Sequence, residues 1–347
     1  NVSVLVKRRR KSEDPKMRSL EELSPLETLE IEKGLALVSR VKLSLTIHPL
    51  VPSVSKPIDE WQLKRSLIDF LKNSTFPSVT ISEEDIVVRR HRDLKKRKRD
   101  EPVAHGSLLI RDLGFLEGKK KKKKDDDDDA KGLEKKFVEW RKVLVEKMNG
   151  IEVNLEGVKY TLTVVLPVSD DFERLKKDWE EFYAFGHPRE GRREADTMIV
   201  RGVPSRWFAE TRVSSKPSML VAHTIFSTFG NIRNFNVAED DNLGKDADEY
   251  SGDLVSGLYC KIVVQFEKYN DFVNAMKAFC GRSMQKEGTR LKADYELTWD
   301  KVGFFQNSRR ASDHRDDGYR NETAGYNTDD LRRKRFRVCM LYDHIFL

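Results

Sequence analysis

Cysteine is scarce in this sequence. Cys260, Cys280 and Cys339 are the three among 347 residues, and they lie far apart. Such spacing provides neither a CxxC pair nor the closely spaced set on which a small disulfide-bonded domain is built. The seven histidines are also scattered and never pair at the spacing of metal ligands. We therefore expect no disulfide framework, no metal site and a reducing, intracellular compartment.

Long apolar runs are missing as well. No stretch of the sequence reaches the roughly 18 consecutive apolar residues that a membrane helix needs. No basic segment followed by an apolar core and a cleavage site is found near the first residue. The sequence therefore predicts a protein without a membrane partner.

The local patterns through which many enzymes hold their substrates are absent too. The sequence has no glycine-rich loop that would cradle phosphates, no nucleophile elbow and no ligands at metal spacing. Charged residues make up 35% of the chain, and they are better explained as solvated surface. We predict that this protein is not an enzyme and needs no cofactor.

Charge is what the chain has in abundance. The 65 lysines and arginines outnumber the 58 acidic residues, which gives a net charge of +7. A basic chain suits a polyanionic partner, although this excess does not choose between RNA, DNA and an acidic protein. The densest basic cluster is either solvated surface or a nuclear import signal. It consists of Lys95, Lys96, Arg97, Lys98 and Arg99.

A second short motif lies near the end of the sequence. Arg309 and Arg310 precede Ser312 in the arrangement that basophilic kinases prefer. Motifs this short often arise by chance, so Ser312 is a candidate phosphorylation site and no more.

Apolar periodicity organises the first half of the chain. Residues 41–47 alternate apolar and polar, as a half-buried strand does, while Leu63, Leu67 and Leu71 recur at helical spacing. Continued to residue 167, this pattern gives the order β-α-β-β-α-β of a diverged ferredoxin-like domain. The predicted strands and helices cover 41–47, 59–71, 76–88, 107–110, 133–148 and 158–166.

The order β-α-β-β-α-β returns between Asp196 and Trp299, where the ends of the strands and helices are easier to identify. A strand ends at Gly202-Val203-Pro204, a helix stops at Phe229-Gly230, and Tyr259 to Phe266 is a second apolar strand. This arrangement is typical of an RNA-recognition motif, an α/β plait. The fold class is therefore α+β, a ferredoxin-like RNA-recognition motif preceded by a second, diverged domain of the same kind, with disordered loops and tails. The predicted organisation is a basic, largely disordered arm (1–39), a diverged domain (40–167) with a disordered insertion at about 91–131, an amphipathic helix and linker (168–195), the RNA-recognition motif (196–299) and a disordered tail (300–347).

The two central strands of such a domain normally present aromatic rings on which bases stack. Here the corresponding positions are Ile199, Lys261 and Val263, so the rings are replaced. Lys261 and Arg201 place two cations on one face, which suits contact with phosphates. We expect weak, salt-sensitive RNA contact of low specificity through these four residues. Binding of protein by the same face remains the alternative.

Trp207 and Phe208 follow the first strand of this domain directly. Exposed pairs of large aromatic residues can anchor a partner protein. More often such a pair caps the end of a hydrophobic core, and both interpretations stay open for Trp207 and Phe208.

Several short motifs resemble the A-kinase anchor protein 17A family, also described as arginine/serine-rich splicing factors. They are Asp196-Thr197, Gly202-Val203-Pro204, Trp207-Phe208-Ala209 and the run from Phe229 to Asn234. The resemblance covers roughly residues 30–300 and is densest after residue 195. It implies a nuclear, non-catalytic RNA-binding adaptor of pre-mRNA splicing, with splicing-associated proteins as partners.

The sequence departs from that family after the RNA-recognition motif. Members continue into a long Arg/Glu/Lys-rich helical region and an Arg/Ser-rich tail, whereas this sequence ends at Leu347. The kinase-anchoring helix of the family belongs to that later region. We therefore expect a truncated or divergent member, in which the residues present do not support kinase anchoring.

Overall fold

The structure is a computed structural model, and it describes most of the chain between residues 24 and 306. The chain divides into two units, Asn1–Lys301 and Val302–Leu347. The basic cluster Lys95–Arg99 and the candidate phosphorylation site Ser312 lie outside the described residues. The described residues are 24, 26–51, 57–73, 76, 79–91, 101–116, 126–185, 194–210, 216–240 and 257–306, with the backbone alone at 33 and 126–131.

The first sheet has five antiparallel strands in the order β4-β5-β3-β7-β6. Its core strand β3 buries Val41, Leu43, Leu45 and Ile47 on one face, as the alternation predicts. Helices α1 and α2 pack on this face, and the βαββαβ order is confirmed. Strand β6, which forms a hairpin with β7, was not predicted. The elements are β3 (Val41–Pro49), α1 (Glu60–Asn73), β4 (Ile86–Arg90), β5 (Ala104–Ile110), α2 (Asp126–Met148), β6 (Glu152–Leu155) and β7 (Val158–Val165).

Two of these elements fall inside the segment predicted to be a disordered insertion, 91–131. Strand β5 lies wholly within it, and α2 begins within it at Asp126. Gly106 weakens the apolar pattern of β5, yet a Cβ atom there would lie 2.6 Å from the backbone oxygen of Val87. The prediction of disorder is therefore wrong for the start of α2 and for β5, part of which the strand predicted at 107–110 already covers. Strand β5 begins three residues before that predicted strand, because close strand packing favours Gly106 although a glycine weakens the local apolar pattern.

The second sheet has the order β13-β8-β10-β9, which is that of an RNA-recognition motif. Its buried face packs against α4 and α5, and α3 joins the same core through Trp179, whose ring centroid lies 5.2 Å from that of Phe272. The predicted fold is confirmed here. The elements are α3 (Phe172–Phe185), β8 (Thr197–Pro204), α4 (Met219–Phe226), β9 (Ile232–Glu239), β10 (Tyr259–Phe266), α5 (Tyr269–Phe279) and β13 (Glu296–Trp299).

Gly230 explains why the helical segment before β9 ends where it does. Its φ is +155°, and a Cβ atom built there would lie 2.3 Å from the Cβ of Asp271. Any side chain would therefore collide with the start of α5. The backbone N–H of Asn231 donates to the Asp271 carboxylate at 3.2 Å, so the close approach is also a hydrogen-bonded one.

A third sheet joins residues 29–39 to the RNA-recognition motif, residues 196–299, which we call the second module. Strands β1 (Leu29–Ile31) and β2 (Leu35–Ser39) form a hairpin, and β2 pairs with β11 (Arg282–Lys286), which pairs with β12 (Lys292–Ala293). The prediction of a disordered arm over residues 1–39 is therefore wrong for 29–39. Leu35 and Leu37 are buried in the core of the second module.

Arg40 leads from β2 into β3 and is the buried centre of an ionic cluster whose outer members are partly exposed. Its Nη1 lies 2.7 Å from Asp170 Oδ1, and its Nε lies 3.0 Å from Asp294 Oδ1. Arg111, just after β5, bonds Asp85 and Asp294, each at 2.8 Å. We call these five residues the junction network. Because Asp294 lies between β12 and β13, the network ties the first sheet to the second module.

Asp294 should make the stability of the fold depend on pH. Burial alone would raise the pKa of Asp294, but the hydrogen bond from Arg111 and the charge of Arg40 outweigh it and lower that pKa. A lowered pKa means that the stabilisation is present above the unfolded value, about 3.9, and is lost as the pH falls through the folded value.

We therefore expect Asp294→Asn to be less stable than the wild type at pH 7, with a difference that narrows as the pH falls below about 4. Urea unfolding between pH 7 and acid measures this difference. A difference in unfolding free energy that stays constant across this range would contradict the assignment.

Candidate nucleic-acid interface

Strands β8 and β10 lie side by side at the centre of the second sheet. In their antiparallel register Lys261 is opposite Arg201, and Val263 is opposite Ile199. The alternate residues Val200 and Ile262 belong to the hydrophobic core. The four residues predicted from the sequence therefore share the face of the sheet that is turned away from α4 and α5, which we call the open face.

The edge strands extend the open face with small and polar side chains. On β13, Glu296 is opposite Arg201 and Thr298 is opposite Ile199. On β9, Ala238 is opposite Lys261 and Asn236 is opposite Val263. These four positions add no ring and no cation, so any electrostatic attraction of this face must come from β8 and β10.

Arg201 is already engaged by a carboxylate. Its Nε donates to Asp240 Oδ2 at 3.2 Å, and its Nη2 donates to Oδ1 at 3.0 Å. This hydrogen bond raises the pKa of Arg201 above its usual value. The sequence predicted two cations that could meet phosphates, but a bidentate pair with the buried Asp240 offsets the charge of one of them.

The middle of the open face is closed to a ligand. Val263 is fully buried, although the sequence placed it on the binding surface, and Ile199 is half-buried. Next to Val263, the buried Gln265 donates from Nε2 to Asp196 at 2.8 Å and accepts a hydrogen bond from Asn234. Because these polar groups satisfy one another, they offer little to a base edge.

Tyr259 is a residue of this face that sequence reasoning missed. It lies two positions before Lys261 on β10, opposite Pro204. The register with β8 shifts here, because Gly202 is an extra residue on β8, but β10 stays in register with β9, so the side chains of Tyr259 and Lys261 lie on the same face. Tyr259 is 37% exposed. The search followed the usual stacking positions of the fold, whereas period-two alternation counted back from Lys261 would have found this ring.

Trp207 and Phe208, the two aromatic residues after β8, differ in how deeply they are buried. Phe208 is fully buried, and its ring stacks on that of Phe226 at 6.4 Å. Phe208 therefore caps the core, and the prediction that it anchors a partner is wrong. The turn Ser205–Trp207 sends the chain inward, where the Phe208 carbonyl accepts a hydrogen bond from Ser218. Trp207 is half-buried against the same core.

The cysteines of the described region are poor nucleophiles. Burial raises the pKa of Cys260 to about 12, and it also raises the pKa of Cys280. Both groups remain thiols near neutral pH. Within the described segments, no three potential ligands gather as a metal site would require. Across the same segments, no helix is long and apolar enough to cross a bilayer.

Comparison with known proteins identifies a matching family and a relative of this chain. A family described as AKAP-17A-like, RNA-binding domain matches residues 133–333, more than half of the chain. A-kinase anchor protein 17A from Homo sapiens is 23% identical over 279 residues, which cover 77% of this chain. The matched part is 34% of that relative, so the chain spans about a third of its length.

Proposed function

The chain belongs to the AKAP-17A-like RNA-binding-domain family, and from this premise we propose that it is a non-enzymatic RNA-binding adaptor of nuclear pre-mRNA processing. The observation that carries the proposal is the combination of this domain with an open face that retains Lys261 on the central strand β10. Splicing-associated proteins are the proposed protein partners. The nuclear location is supported by the likeness to the relative and by the basic cluster at Lys95–Arg99.

The proposed RNA contact is weak and dominated by phosphates. Stacking rings are absent from the middle of the face, and the charge of Arg201 is offset by Asp240. Lys261 is half-exposed between the closed middle of the sheet and Tyr259. A contact of this kind weakens steeply with added salt, because binding releases cations from the RNA.

Lys261→Glu should weaken the binding of single-stranded RNA at low salt. If Lys261 neutralises one phosphate, the slope of log affinity against log salt should become shallower by about 0.7. Fluorescence anisotropy with the full chain and a labelled oligouridine measures both quantities.

Lys142→Glu is the matched control. It makes the same change of charge at an exposed position of α2, where Lys142 pairs with Glu146 at 3.8 Å. Equal losses of affinity in the two variants would show that only the net charge matters, and that the open face has no special part in binding.

A protein scaffold without RNA contact is the second candidate. Two observations favour it, the bidentate pair of Arg201 with Asp240 and the full burial of Val263. Both remove groups that an RNA-binding face normally uses. Absence of RNA binding at low salt, with the chain folded, would select this candidate over the first.

A further inference from the structure

Exposed groups that could contact RNA collect at one end of the second sheet, where β8 stops and β10 begins. Leu258 is 52% exposed and Tyr259 is 37% exposed. The carbonyl of Leu258 accepts a hydrogen bond of 2.9 Å from the N–H of Ser205, which joins the two chain segments. We call Arg206, Leu258 and Tyr259 the end cluster.

The ring of Tyr259 is suited to a stacking role. It lies on the open face beside Lys261, and its hydroxyl makes no hydrogen bond to any residue that the structure describes. A partly exposed aromatic ring on a sheet face is a surface on which any base can stack, because every base has a π face. This ring therefore takes over a role that the usual central positions, Ile199 and Val263, no longer fill.

Arg206 supplies a cation at the same end. It is exposed in the turn Ser205–Trp207, directly after the Pro204 that faces Tyr259. With a rise of about 2 Å per residue in such a turn, the backbone of Arg206 lies about 4 Å from that of Pro204, two residues earlier. Within the described part of the chain Arg206 has no ion-pair partner, in contrast to Arg201.

We propose that a nucleotide of single-stranded RNA binds at the end cluster, with its base stacked on Tyr259 and a phosphate near Arg206. This inference rests on the proposed function and gives its binding site a location. The attraction of phosphates is reduced at this end of the sheet, because Glu239, opposite Cys260, places a carboxylate there and pairs with Lys216 at 3.4 Å. A stacked base carries no such charge. The contribution of Tyr259 is therefore largely independent of salt, unlike that of Lys261.

Tyr259→Ala tests the proposal in the full chain, with a labelled oligouridine of about ten nucleotides as the probe. The affinity should fall by about fivefold to 150-fold, the range that loss of one stacked base gives, while the salt slope is unchanged. Tyr259→Phe keeps the ring and should bind as the wild type does. Tyr259→Leu keeps apolar bulk without a ring, and it should bind weakly even if the alanine variant fails to fold.

An abasic ribose-phosphate oligomer separates base contact from phosphate contact. It should bind the wild type and Tyr259→Ala equally, because it has no base to stack.

The outcomes distinguish this inference from the proposed function. If the wild type binds oligouridine and Lys261→Glu weakens it, but Tyr259→Ala and Tyr259→Leu do not, the end cluster is not the site and the function stands. That result would point to a protein as the occupant of the end cluster. If the folded wild type does not bind at low salt, both the function and the site are overturned.

Discussion

Replacement of Arg40 with methionine should destabilise the folded chain by roughly 3–5 kcal/mol, the cost of breaking a buried ion pair from one side. The side chain of Arg40 is 1% exposed and that of its partner Asp170 is 5% exposed. Without the guanidinium, the carboxylate of Asp170 loses its partner and stays away from water. Asp294 loses one of its two arginines as well. Denaturant unfolding of the full chain measures the loss of free energy.

Arg90→Met is the matched control for this prediction. Arg90 also forms a short ion pair, 2.7 Å from Glu60, but the two side chains are 45% and 36% exposed. An exposed pair contributes up to about 1 kcal/mol, so this variant should be nearly as stable as the wild type.

A double variant tests the mechanism further. Arg40→Met with Asp170→Leu should recover part of the loss, because replacing both partners with apolar groups removes the unpaired charge. The claim that the junction network is central to the stability of the fold would be contradicted by either of two results. One is an equal loss of unfolding free energy in Arg40→Met and Arg90→Met, and the other is a double variant no more stable than Arg40→Met.

Removal of residues 1–39 should have the second large effect. It deletes β2, so β11 loses the partner strand with which it pairs from Arg282 to Lys286. It also removes Leu35 and Leu37 from the core of the second module. Burial of two leucines contributes about 3–6 kcal/mol, which is a large share of the 5–15 kcal/mol that stabilises a typical domain.

The comparison needs two fragments that differ in residues 24–39, which contain β1, β2 and the Ser24 and Glu27 carbonyls that accept hydrogen bonds from Arg282. A fragment of residues 24–301 should unfold as cooperatively as the full chain, whereas residues 40–301, which keep Arg40, should unfold at a much lower denaturant concentration. Dispersion of amide signals in NMR spectra would show whether the second module is still folded in each. Equal stability of the two fragments would mean that β2 is an accessory strand.

The contrast between β2 and β10 shows which parts of the fold the sequence reveals. Strand β10 is eight residues long, rich in branched apolar residues and followed at once by a helix, so its pattern is visible locally. Strand β2 is five residues long, and its partner β11 lies more than two hundred residues later. Five residues are too few to identify a strand by their periodicity alone, and the sequence does not show that they pair with a strand so far along the chain.

Some features of the candidate site could likewise be predicted from the sequence, and others could not. The usual stacking positions of an RNA-recognition motif pointed to Ile199, Lys261 and Val263, with Arg201 as a second cation beside Lys261, and the register of β8 and β10 places these four residues on one face. The pairing of Arg201 with Asp240 could not be predicted, because it depends on how the end of β9 lies against β8 across the sheet. Tyr259, by contrast, was missed although it could have been found from the sequence, by counting back two positions from Lys261.

Crosslinking by ultraviolet light would test most directly whether the second module contacts RNA through its open face. The full chain would be irradiated with single-stranded RNA at low salt, and the crosslinked peptides would be identified by mass spectrometry. We expect crosslinks within Tyr259–Phe266, centred on Tyr259 and Lys261. Crosslinks found only in other segments, or none from a folded chain, would contradict RNA contact through this face.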